Sequence, residues 1–279
     1  MNRRHFLQGA AALGGAGLLT GLYTWQVEPF WLEFVQVPMP IKHLPDALVG
    51  KTLMQISDTH VGNRFDRQYL IESFEKAQQL APDFVVYTGD FVNYESEEQF
   101  AQLREVYAHA VRGKLGTLGV LGNHDYGLNW QEPEVAQRVA GILEEKGISI
   151  LRNEQQNLAG LNFVGLDDFW GTNFAPHQVM SDLQKEQANV VLCHNPDVAD
   201  EPVWNGYQSW ILSGHTHGGQ CKPPFLRAPM LPVRNKRYTA GTFALDDGRT
   251  LYINRALGHL WQVRFNVRPE ITVFRLERG

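Results

Sequence analysis

The sequence predicts an α/β fold in which two mixed sheets face each other and helices cover their outer faces, a four-layer α/β/β/α sandwich. Hydrophobic strand patterns alternate with amphipathic helix patterns over residues 51–146, and short strands with few helices follow Gly147. Polar motifs rich in Asp, Asn and His close several of the strand patterns. Because the carboxyl ends of parallel strands meet at one edge, we expect these motifs to gather at one end of the sandwich.

The composition is that of an ordinary globular chain and argues against several classes of protein. Of the 279 residues 43% are hydrophobic and 20% are charged, and the formal net charge is -5 at pH 7. This net charge does not imply a basic face for a nucleic-acid backbone, so nucleic acid is not an expected partner. The two cysteines, Cys193 and Cys221, are too few for a disulfide framework, and we expect both to be free thiols.

The first 25 residues indicate a targeting segment. Arg3 and Arg4 precede a weakly apolar stretch that ends near Tyr23, which is typical of a twin-arginine export signal. This predicts the twin-arginine machinery as a partner and a periplasmic location or one at the extracytoplasmic face of the inner membrane. No small-x-small cleavage pattern follows, so we favour retention of residues 1–25 as an N-terminal membrane anchor over cleavage.

Residues 26–50 are predicted to be a linker, and residues 51–279 the folded domain. Three prolines at positions 38, 40 and 45 interrupt any regular pattern before Gly50. Three strand-loop-helix units follow. Their strands are predicted over 52–57, 83–88 and 115–121, and their helices over 67–80, 97–111 and 132–146.

The second half of the chain is predicted to be rich in short strands. Apolar runs place them over 149–151, 156–158, 162–166, 190–193, 209–212, 238–245, 250–254 and 271–276. The turn residues Asp246-Asp247-Gly248 separate two of these runs as in a hairpin. These strands therefore complete the two facing sheets.

Five short motifs follow predicted strands along the chain. They are Asp58-Thr59-His60, Gly89-Asp90, Gly122-Asn123-His124-Asp125, Cys193-His194-Asn195 and Gly214-His215-Thr216-His217. A pair of divalent cations about 3.5 to 4 Å apart needs several oxygen or imidazole ligands, with open positions for water and phosphate. Carboxylate and neutral imidazole suit manganese, iron or zinc, whereas a closed structural zinc site would need a cysteine cluster. The five motifs together therefore predict a two-metal site.

The five motifs resemble those of the calcineurin-like metallophosphoesterase family, and the resemblance extends over about residues 52–273. The leader and the segments 194–197, 214–220 and 268–271 make the chain similar to the YaeI/YkuE-like branch of exported phosphodiesterases. The resemblance implies a metallophosphoesterase-like sandwich with two divalent cations. It implies Asp58, His60 and His217 on one cation, Asn123, His194 and His215 on the other, and Asp90 bridging both.

The implied activity is hydrolysis of a phosphodiester or pyrophosphate bond by a hydroxide that bridges the two cations. His124 is the candidate general acid or phosphate clamp, and Asp125 is expected to hold its ring. Weaker candidates for substrate contacts are Arg64, Asn195 and Arg255. Ala256 stands where the resemblance would have the first glycine of an Asn-Arg-Gly-x-Gly turn, which leaves the conformation of that turn open.

Two proline-rich apolar runs, residues 223–226 and 229–232, directly follow the last motif. They favour a substrate that carries an acyl chain, and simple packing of this loop against the domain is the alternative. Three other functions stay open: a UDP-2,3-diacylglucosamine-type pyrophosphatase of lipid A synthesis, a non-catalytic metal-dependent binding protein of the envelope, and a phosphoprotein phosphatase. Export counts against the first, because UDP-linked precursors are not normally available outside the cytoplasm.

Overall fold

Two six-stranded mixed sheets form the centre of the fold, which the computed structural model describes over residues 2–62, 64 and 66–279. The first sheet has the spatial order β1 (Glu33–Ile41), β12 (Glu270–Arg278), β2 (Thr52–Ile56), β3 (Phe84–Thr88), β4 (Gly116–Val120) and β5 (Ser149–Ile150). The second has the order β10 (Gly241–Ala244), β11 (Thr250–Ile253), β9 (Trp210–Ser213), β8 (Ala188–Leu192), β7 (Leu161–Gly165) and β6 (Glu154–Leu158). The predicted α/β sandwich of two mixed sheets is confirmed.

Both sheets have a central block of parallel strands. Strands β2 to β5 are parallel in the first sheet, and β11, β9, β8 and β7 are parallel in the second. Antiparallel pairs, β12 with β2, β10 with β11 and β6 with β7, flank these blocks. The loops that leave the carboxyl ends of β2, β3, β4, β8 and β9 carry the five motifs.

The inner faces of the two sheets pack on each other and form the middle of the core. Side chains such as Leu53 and Val86 from the first sheet share one buried cluster with Val190 and Leu212 from the second. Strands buried on both faces read as continuous apolar runs, which is why their patterns were visible in the sequence. The sheets therefore fix the relative positions of the motif-bearing loops.

The helices cover the outer faces unequally. They are α1 (Arg3–Gln26), α2 (Arg67–Gln78), α3 (Glu98–Tyr107), α4 (Pro133–Glu145) and α5 (His177–Met180). Helices α2 to α4 bury their apolar sides against the first sheet. The Asp66 carboxylate starts α2 by accepting a hydrogen bond from the Tyr69 N–H at 2.8 Å. The second sheet is covered by the single turn of α5 and by irregular segments that include Trp204 and Tyr207.

The prediction of a linker over residues 26–50 is wrong for its central part. Strand β1 occupies residues 33–41 and pairs in parallel with β12 over nine residues. Pro38 and Pro40 concealed it, because proline is rare in the interior of a sheet. β1, however, is an edge strand. Every second residue of an edge strand turns its backbone nitrogen toward the open side, where no strand needs a hydrogen bond, so proline is tolerated at those positions. The first sheet thus begins before residue 51.

Helix α1 precedes the first sheet in the chain. All of its side chains are at least partly exposed, and its C-terminal end is attached to the domain. The Gln262 side chain donates a hydrogen bond to the Trp25 carbonyl, and the Arg264 N–H donates one to the Thr24 carbonyl, both at 2.9 Å. Within the described residues, no helix combines the length and apolar character needed to cross a membrane.

Candidate metal centre

The seven predicted metal ligands lie together at one end of the sandwich. Asp58, Asp90 and Asn123 follow β2, β3 and β4 of the first sheet, and His194 and His215 follow β8 and β9 of the second. All seven side chains are buried, with at most 8% of any residue exposed. The edges of two sheets therefore supply a single cluster of carboxylate, amide and imidazole groups.

One group of possible ligands contains Asp58, His60 and His217. The Nε2 atoms of His60 and His217 are 3.0 Å apart. An oxygen of Asp58, Oδ1, lies 3.3 Å from His217 Nε2 and 3.9 Å from His60 Nε2. Three donor atoms at this spacing surround a space that one cation could occupy.

A second group contains Asp90, His194 and His215. His194 Nε2 lies 3.1 Å from Asp90 Oδ2 and 3.1 Å from His215 Nδ1. The same oxygen of Asp90 is 3.6 Å from His60 Nε2, which belongs to the first group. Asp90 therefore contacts both groups, as a bridging carboxylate would.

Two backbone carbonyls define which imidazole nitrogens face the cluster. The Thr88 carbonyl accepts a hydrogen bond from His194 Nδ1 at 2.8 Å, and the Pro232 carbonyl accepts one from His215 Nε2 at 2.7 Å. Each bond requires a proton on the nitrogen that donates. In the neutral form of each ring, the opposite nitrogen, Nε2 of His194 or Nδ1 of His215, carries the lone pair and faces the cluster.

Buried polar atoms in the cluster lack protein partners in the part of the chain that the structure describes. Asn123 Oδ1 is buried and accepts no hydrogen bond there. His60 and His217 bring their Nε2 atoms to 3.0 Å, while their Nδ1 atoms are also buried without a partner. Such groups are costly to bury unless something else binds them. Divalent cations of the manganese, iron or zinc type match this set of oxygen and imidazole donors.

The backbone at the cluster is held in an uncommon conformation. Five of the seven residues have φ between 47° and 70°, the left-handed region that non-glycine residues rarely adopt; they are Asp58, His60, Asp90, His215 and His217. Each such residue costs on the order of 1 to 3 kcal/mol and persists only where the surrounding structure enforces it. Such strain concentrates at functional sites.

Close packing of glycine against the carboxylates helps to enforce this geometry. A Cβ atom at Gly122 would lie 2.3 Å from Asp90 Oδ1, and one at Gly214 would lie 2.3 Å from Asp58 Oδ2. No side chain fits at either position without displacing a carboxylate. The glycines of these two motifs are therefore part of the site.

The protonation states of Asp58, His60 and His215 suit metal binding, whereas that of His194 does not. Burial would raise the pKa of Asp58, but the hydrogen bond from His217 and the charge of His194 outweigh it and lower the pKa to about 2. Burial, reinforced by His194, lowers the pKa of His215 to about 3. Burial also lowers the pKa of His60 well below its usual range. An ionised carboxylate and neutral imidazoles are the forms that bind cations. Burial would lower the pKa of His194, but the Asp90 carboxylate outweighs it and raises the pKa well above its usual range, so a cation would have to displace a proton there.

His124 lies beside the cluster, but its ring is not held as predicted. The predicted partner, Asp125, instead accepts hydrogen bonds from the N–H groups of Phe91, Val92 and Gly122 at 2.8 to 3.0 Å. The ring contact of His124 is between Nδ1 and Asn93 Oδ1, at 2.9 Å. A carboxylate so close to three backbone donors fixes the loop and not the ring, so the expectation for Asp125 is corrected. Asn93 went unnoticed, although it stands three residues after Asp90.

The three weaker candidates do not line the cavity beside the cluster. Asn195 is buried, and its Oδ1 accepts a hydrogen bond from the Asp197 N–H at 2.9 Å, so it caps the turn after His194. Arg255 forms ion pairs with Glu33 and Glu270. Arg64 is exposed, with its guanidinium 4.1 Å from the centre of the Trp261 ring. Ala256 has a φ of 71°, the conformation that a glycine there would favour.

The predicted free thiols are confirmed. Cys193 is buried, Cys221 is half-buried, and the two do not form a disulfide. Burial raises the pKa of Cys193 to about 12, so this thiol stays protonated and unreactive. Neither cysteine is needed to account for the cluster.

A cavity of about 1000 Å³ opens directly on the cluster. Its floor contains His60, Asp90 and Asn123, and two tryptophans, Trp130 and Trp170, form one wall. The tryptophan rings stack with centres 5.1 Å apart and planes 19° apart. The opposite wall consists of the loop 227–232 and of residues 260, 261 and 263. The cavity thus combines the polar cluster with a mostly apolar lining that also includes Arg227 and Lys236.

The sequence analysis missed both tryptophans of this wall. The Trp130 ring meets His124 edge to face at 5.9 Å, and the Trp170 ring meets His215 in the same way at 4.6 Å. Trp130 has a φ of 60°, an outlier for a bulky residue. Neither residue stands in a recognisable motif, so only the folded chain reveals their position.

Comparison with known proteins gives consistent similarities. A family profile described as calcineurin-like phosphoesterase matches residues 51–219, and a twin-arginine translocation pathway signal sequence profile matches residues 1–20. The uncharacterized metallophosphoesterase YkuE of Bacillus subtilis is 31% identical over 99% of this chain and 98% of its own. The phosphodiesterase YaeI of Escherichia coli is 28% identical over 99% of both chains. The UDP-2,3-diacylglucosamine pyrophosphatase LpxG of Chlamydia trachomatis is 26% identical over 93% of this chain and 94% of its own.

Proposed function

Because the chain belongs to the calcineurin-like phosphoesterase family and is a metal-dependent phosphoesterase, we propose that it hydrolyses a phosphodiester or pyrophosphate bond at a pair of divalent cations. The observation that carries the proposal is the contact of one carboxylate, Asp90, with two groups of buried donors. A single metal would not need a carboxylate in that position. Two cations sharing one carboxylate do.

Within the described chain, three groups of possible ligands lie in the cluster: Asp58, His60 and His217; Asp90, His194 and His215; and His60, Asp90 and His124. We assign the donors from the first two groups, and we add Asn123 to the second because its buried Oδ1 has no partner among the described residues. Asp58, His60 and His217 would bind one cation, Asn123, His194 and His215 the other, and Asp90 both. The cations, when bound, supply a water acidic enough to attack phosphorus as hydroxide near neutral pH and neutralise charge on the phosphate oxygens. Manganese, iron and zinc all suit these donors.

His124 is proposed to assist the leaving oxygen. With Asn93 Oδ1 accepting from Nδ1, the free nitrogen Nε2 is the one that can hold or give up a proton. His124 lines the cavity, and its backbone N–H donates a hydrogen bond to Asp90 Oδ1 at 2.9 Å. A proton delivered at Nε2 would prevent alkoxide from building up as the phosphorus–oxygen bond breaks.

The substrate is proposed to carry an acyl chain next to the phosphate. Apolar side chains such as Trp130, Trp170 and Leu231 line the sides of the cavity above the polar floor. A cavity of about 1000 Å³ is at the large end of the range for small-molecule sites. A simple diester would leave most of this surface uncovered, whereas a lipid-linked phosphate would bury it.

A pyrophosphatase acting on a UDP-2,3-diacylglucosamine-type substrate is the second candidate, because the LpxG relative with that name aligns over nearly the whole chain. The twin-arginine signal supports export across the membrane, which separates the enzyme from UDP-linked precursors. A phosphodiester on the outer side of the membrane is therefore the first choice. We further propose that α1 is retained and keeps the domain at that membrane.

The test combines a soluble substrate with a panel of lipids. Purified full-length protein with added manganese should hydrolyse bis-p-nitrophenyl phosphate, and His124→Ala should lower turnover by roughly 10² to 10⁴ without changing the metal content. Among phospholipids, nucleotide-linked lipids, simple diesters and phosphoproteins, an acylated diester should have the highest kcat/KM. A metal-loaded protein without turnover would instead favour a binding protein, and preference for phosphoproteins would favour a phosphatase.

A further inference from the structure

Large apolar side chains at the cavity, and on the segment that leads into its lining, are exposed to solvent. We use the name apolar rim for five residues: Phe225, Leu226, Met230, Trp261 and Val263. Phe225 is fully exposed, and the exposed fraction of the other four is 40% to 79%. Met230, Trp261 and Val263 line the cavity, and Phe225 and Leu226 directly precede the lining residue Arg227. Single exposed hydrophobic residues are normal on a surface. Five such side chains close to one cavity form a patch of the kind that marks an interaction site.

The apolar rim is continuous with the end of helix α1. Gln220 Nε2 donates hydrogen bonds to the carbonyls of Trp261 and Val263, both at 2.8 Å, which ties the two halves of the rim together. The next residue of this segment, Gln262, donates to the Trp25 carbonyl at the end of α1. The exported leader and the cavity mouth therefore meet on the same surface.

The segment that carries three of the five rim residues is basic in sequence, although one of its cations, Arg234, pairs with Glu201 at 3.5 Å. Residues 221–240 contain five Lys or Arg and no Asp or Glu, in a chain with a formal net charge of -5. Lys222, Arg227 and Arg237 are exposed there, and Arg64 lies against the Trp261 ring. Cations beside exposed aromatic and aliphatic side chains are the combination that binds anionic lipid surfaces.

We propose that the apolar rim docks onto an anionic lipid bilayer, so that the cavity opens toward the membrane. The partner is a bilayer and not a folded protein, because the rim combines a loop of exposed apolar tips, a basic surround and continuity with the leader. Phe225 and Leu226 would enter the interfacial region, and the cations would lie at the level of the head groups. The docking itself is independent of catalysis, while delivery of a lipid substrate to the cavity rests on the proposed function.

Direct localisation of the contact uses a fluorophore that brightens in lipid. A nitrobenzoxadiazole group is attached to Leu226→Cys in the Cys221→Ser background of the full chain, with Cys193 protected by burial. Vesicles of phosphatidylglycerol and phosphatidylethanolamine in equal parts should raise its emission about threefold or more, as water around the probe is replaced by lipid. The matched probe at Leu80→Cys, an exposed leucine after α2, should not respond.

The outcomes separate docking of the rim from attachment through α1 alone. Vesicle binding without a response of the probe at position 226 would overturn the proposal, since the leader would then be the sole contact. In the absence of vesicles, an increase in emission that depends on protein concentration would also overturn the proposal, because it would show that a second copy of the chain covers the rim. An equal response to phosphatidylcholine vesicles would contradict the role of the basic residues.

A pair of variants measures the contribution of the rim. Phe225→Ser/Leu226→Ser should lower partitioning into the same anionic vesicles about tenfold or more, and Leu80→Ser/Leu115→Ser should leave it unchanged. Phe225 and Leu226 do not line the cavity, so hydrolysis of bis-p-nitrophenyl phosphate should match that of the unmodified protein. Unchanged partitioning of the first variant would overturn the docking proposal, while a failure of the proposed function would appear only in the hydrolysis assay.

Discussion

The floor and the rim of the cavity are built in opposite ways. The floor consists of buried carboxylates and imidazoles, several in strained left-handed backbone, fixed by carbonyls, glycines and backbone N–H groups. The apolar rim consists of exposed side chains on segments outside the helices and strands. The protein's own contacts fix the floor, whereas the rim gains contacts only when something covers it.

This difference indicates which part of the molecule determines which property. A rigid polar floor selects the reaction, because it fixes the distances between charged groups. On the docking proposal, the exposed apolar rim determines where the protein binds and favours substrates with an apolar part, because burial of apolar surface is favourable. Changes to the floor should therefore alter kcat for every substrate, and changes to the rim should alter only lipid substrates and membrane binding.

The largest effect is expected from the carboxylate shared by both donor groups. Asp90→Asn keeps the shape but removes the charge, and it should lower kcat on bis-p-nitrophenyl phosphate by about 10³-fold or more and reduce the metal content. Activity and metal content are measured on the same preparation. Asp83→Asn, at the opposite end of the strands, is the control. Wild-type turnover in the Asp90 variant would contradict the proposal that two cations share this carboxylate.

A smaller loss is expected from Asn93, which holds the His124 ring. Asn93→Ala should reduce kcat by about 10- to 100-fold at unchanged metal content, because the ring then loses its fixed orientation. In a His124→Ala background the same change should have little further effect. Asn93→Asp, which can still accept from Nδ1, should restore part of the activity. Additive losses in the double variant would show that Asn93 acts separately from His124.

A loss confined to lipid-like substrates is expected from the wall next to the rim. Leu231→Ser removes an apolar side chain that lines the cavity. It should raise KM for dodecyl p-nitrophenyl phosphate about fivefold and leave KM for the methyl ester unchanged, because only the long chain reaches that wall. The control is Leu80→Ser. Equal effects on both esters would mean that the wall does not sense chain length.

The smallest effect lies far from the cavity, at the amino ends of the parallel strands. Burial would raise the pKa of Asp83, but hydrogen bonds from the Thr52 N–H at 2.9 Å and from Lys51 outweigh it and lower the pKa. A lowered pKa contributes stability above the unfolded-state value, and this contribution is lost as the pH falls through the folded-state value. Asp83→Asn should therefore reduce the free energy of unfolding by about 1 kcal/mol at pH 7 and by less at pH 3. Urea unfolding at both values tests this, and a loss independent of pH would contradict it.

The strands that carry the cluster could be predicted because they are buried on both faces. β2, β3 and β4 are mainly apolar runs that end in polar motifs. Each of their bounds lies within one residue of the predicted one. β1 could not be predicted in the same way, since the prolines permitted on an edge strand imitate a linker. α3 ends at Tyr107 although helical spacing continued to 111, because periodicity does not mark the end of a helix.

The ligand types could be predicted from the motifs, but the contacts around them could not. Asp125 follows His124 in the chain, yet its carboxylate lies against the backbone of residues 91, 92 and 122. Asn93 and Trp170 are distant from His124 and His215 in sequence, and only the folding of two sheets against each other brings them there. Sequence spacing identifies the donors, whereas tertiary packing orients them.

Anomalous diffraction at the manganese edge, on crystals of the full chain grown with manganese, tests the two-cation floor most directly. We expect two peaks about 3.5 to 4 Å apart, both within bonding distance of the Asp90 carboxylate. One should be bound by Asp58, His60 and His217, and the other by Asn123, His194 and His215. A single peak, or peaks that do not share Asp90, would contradict this expectation.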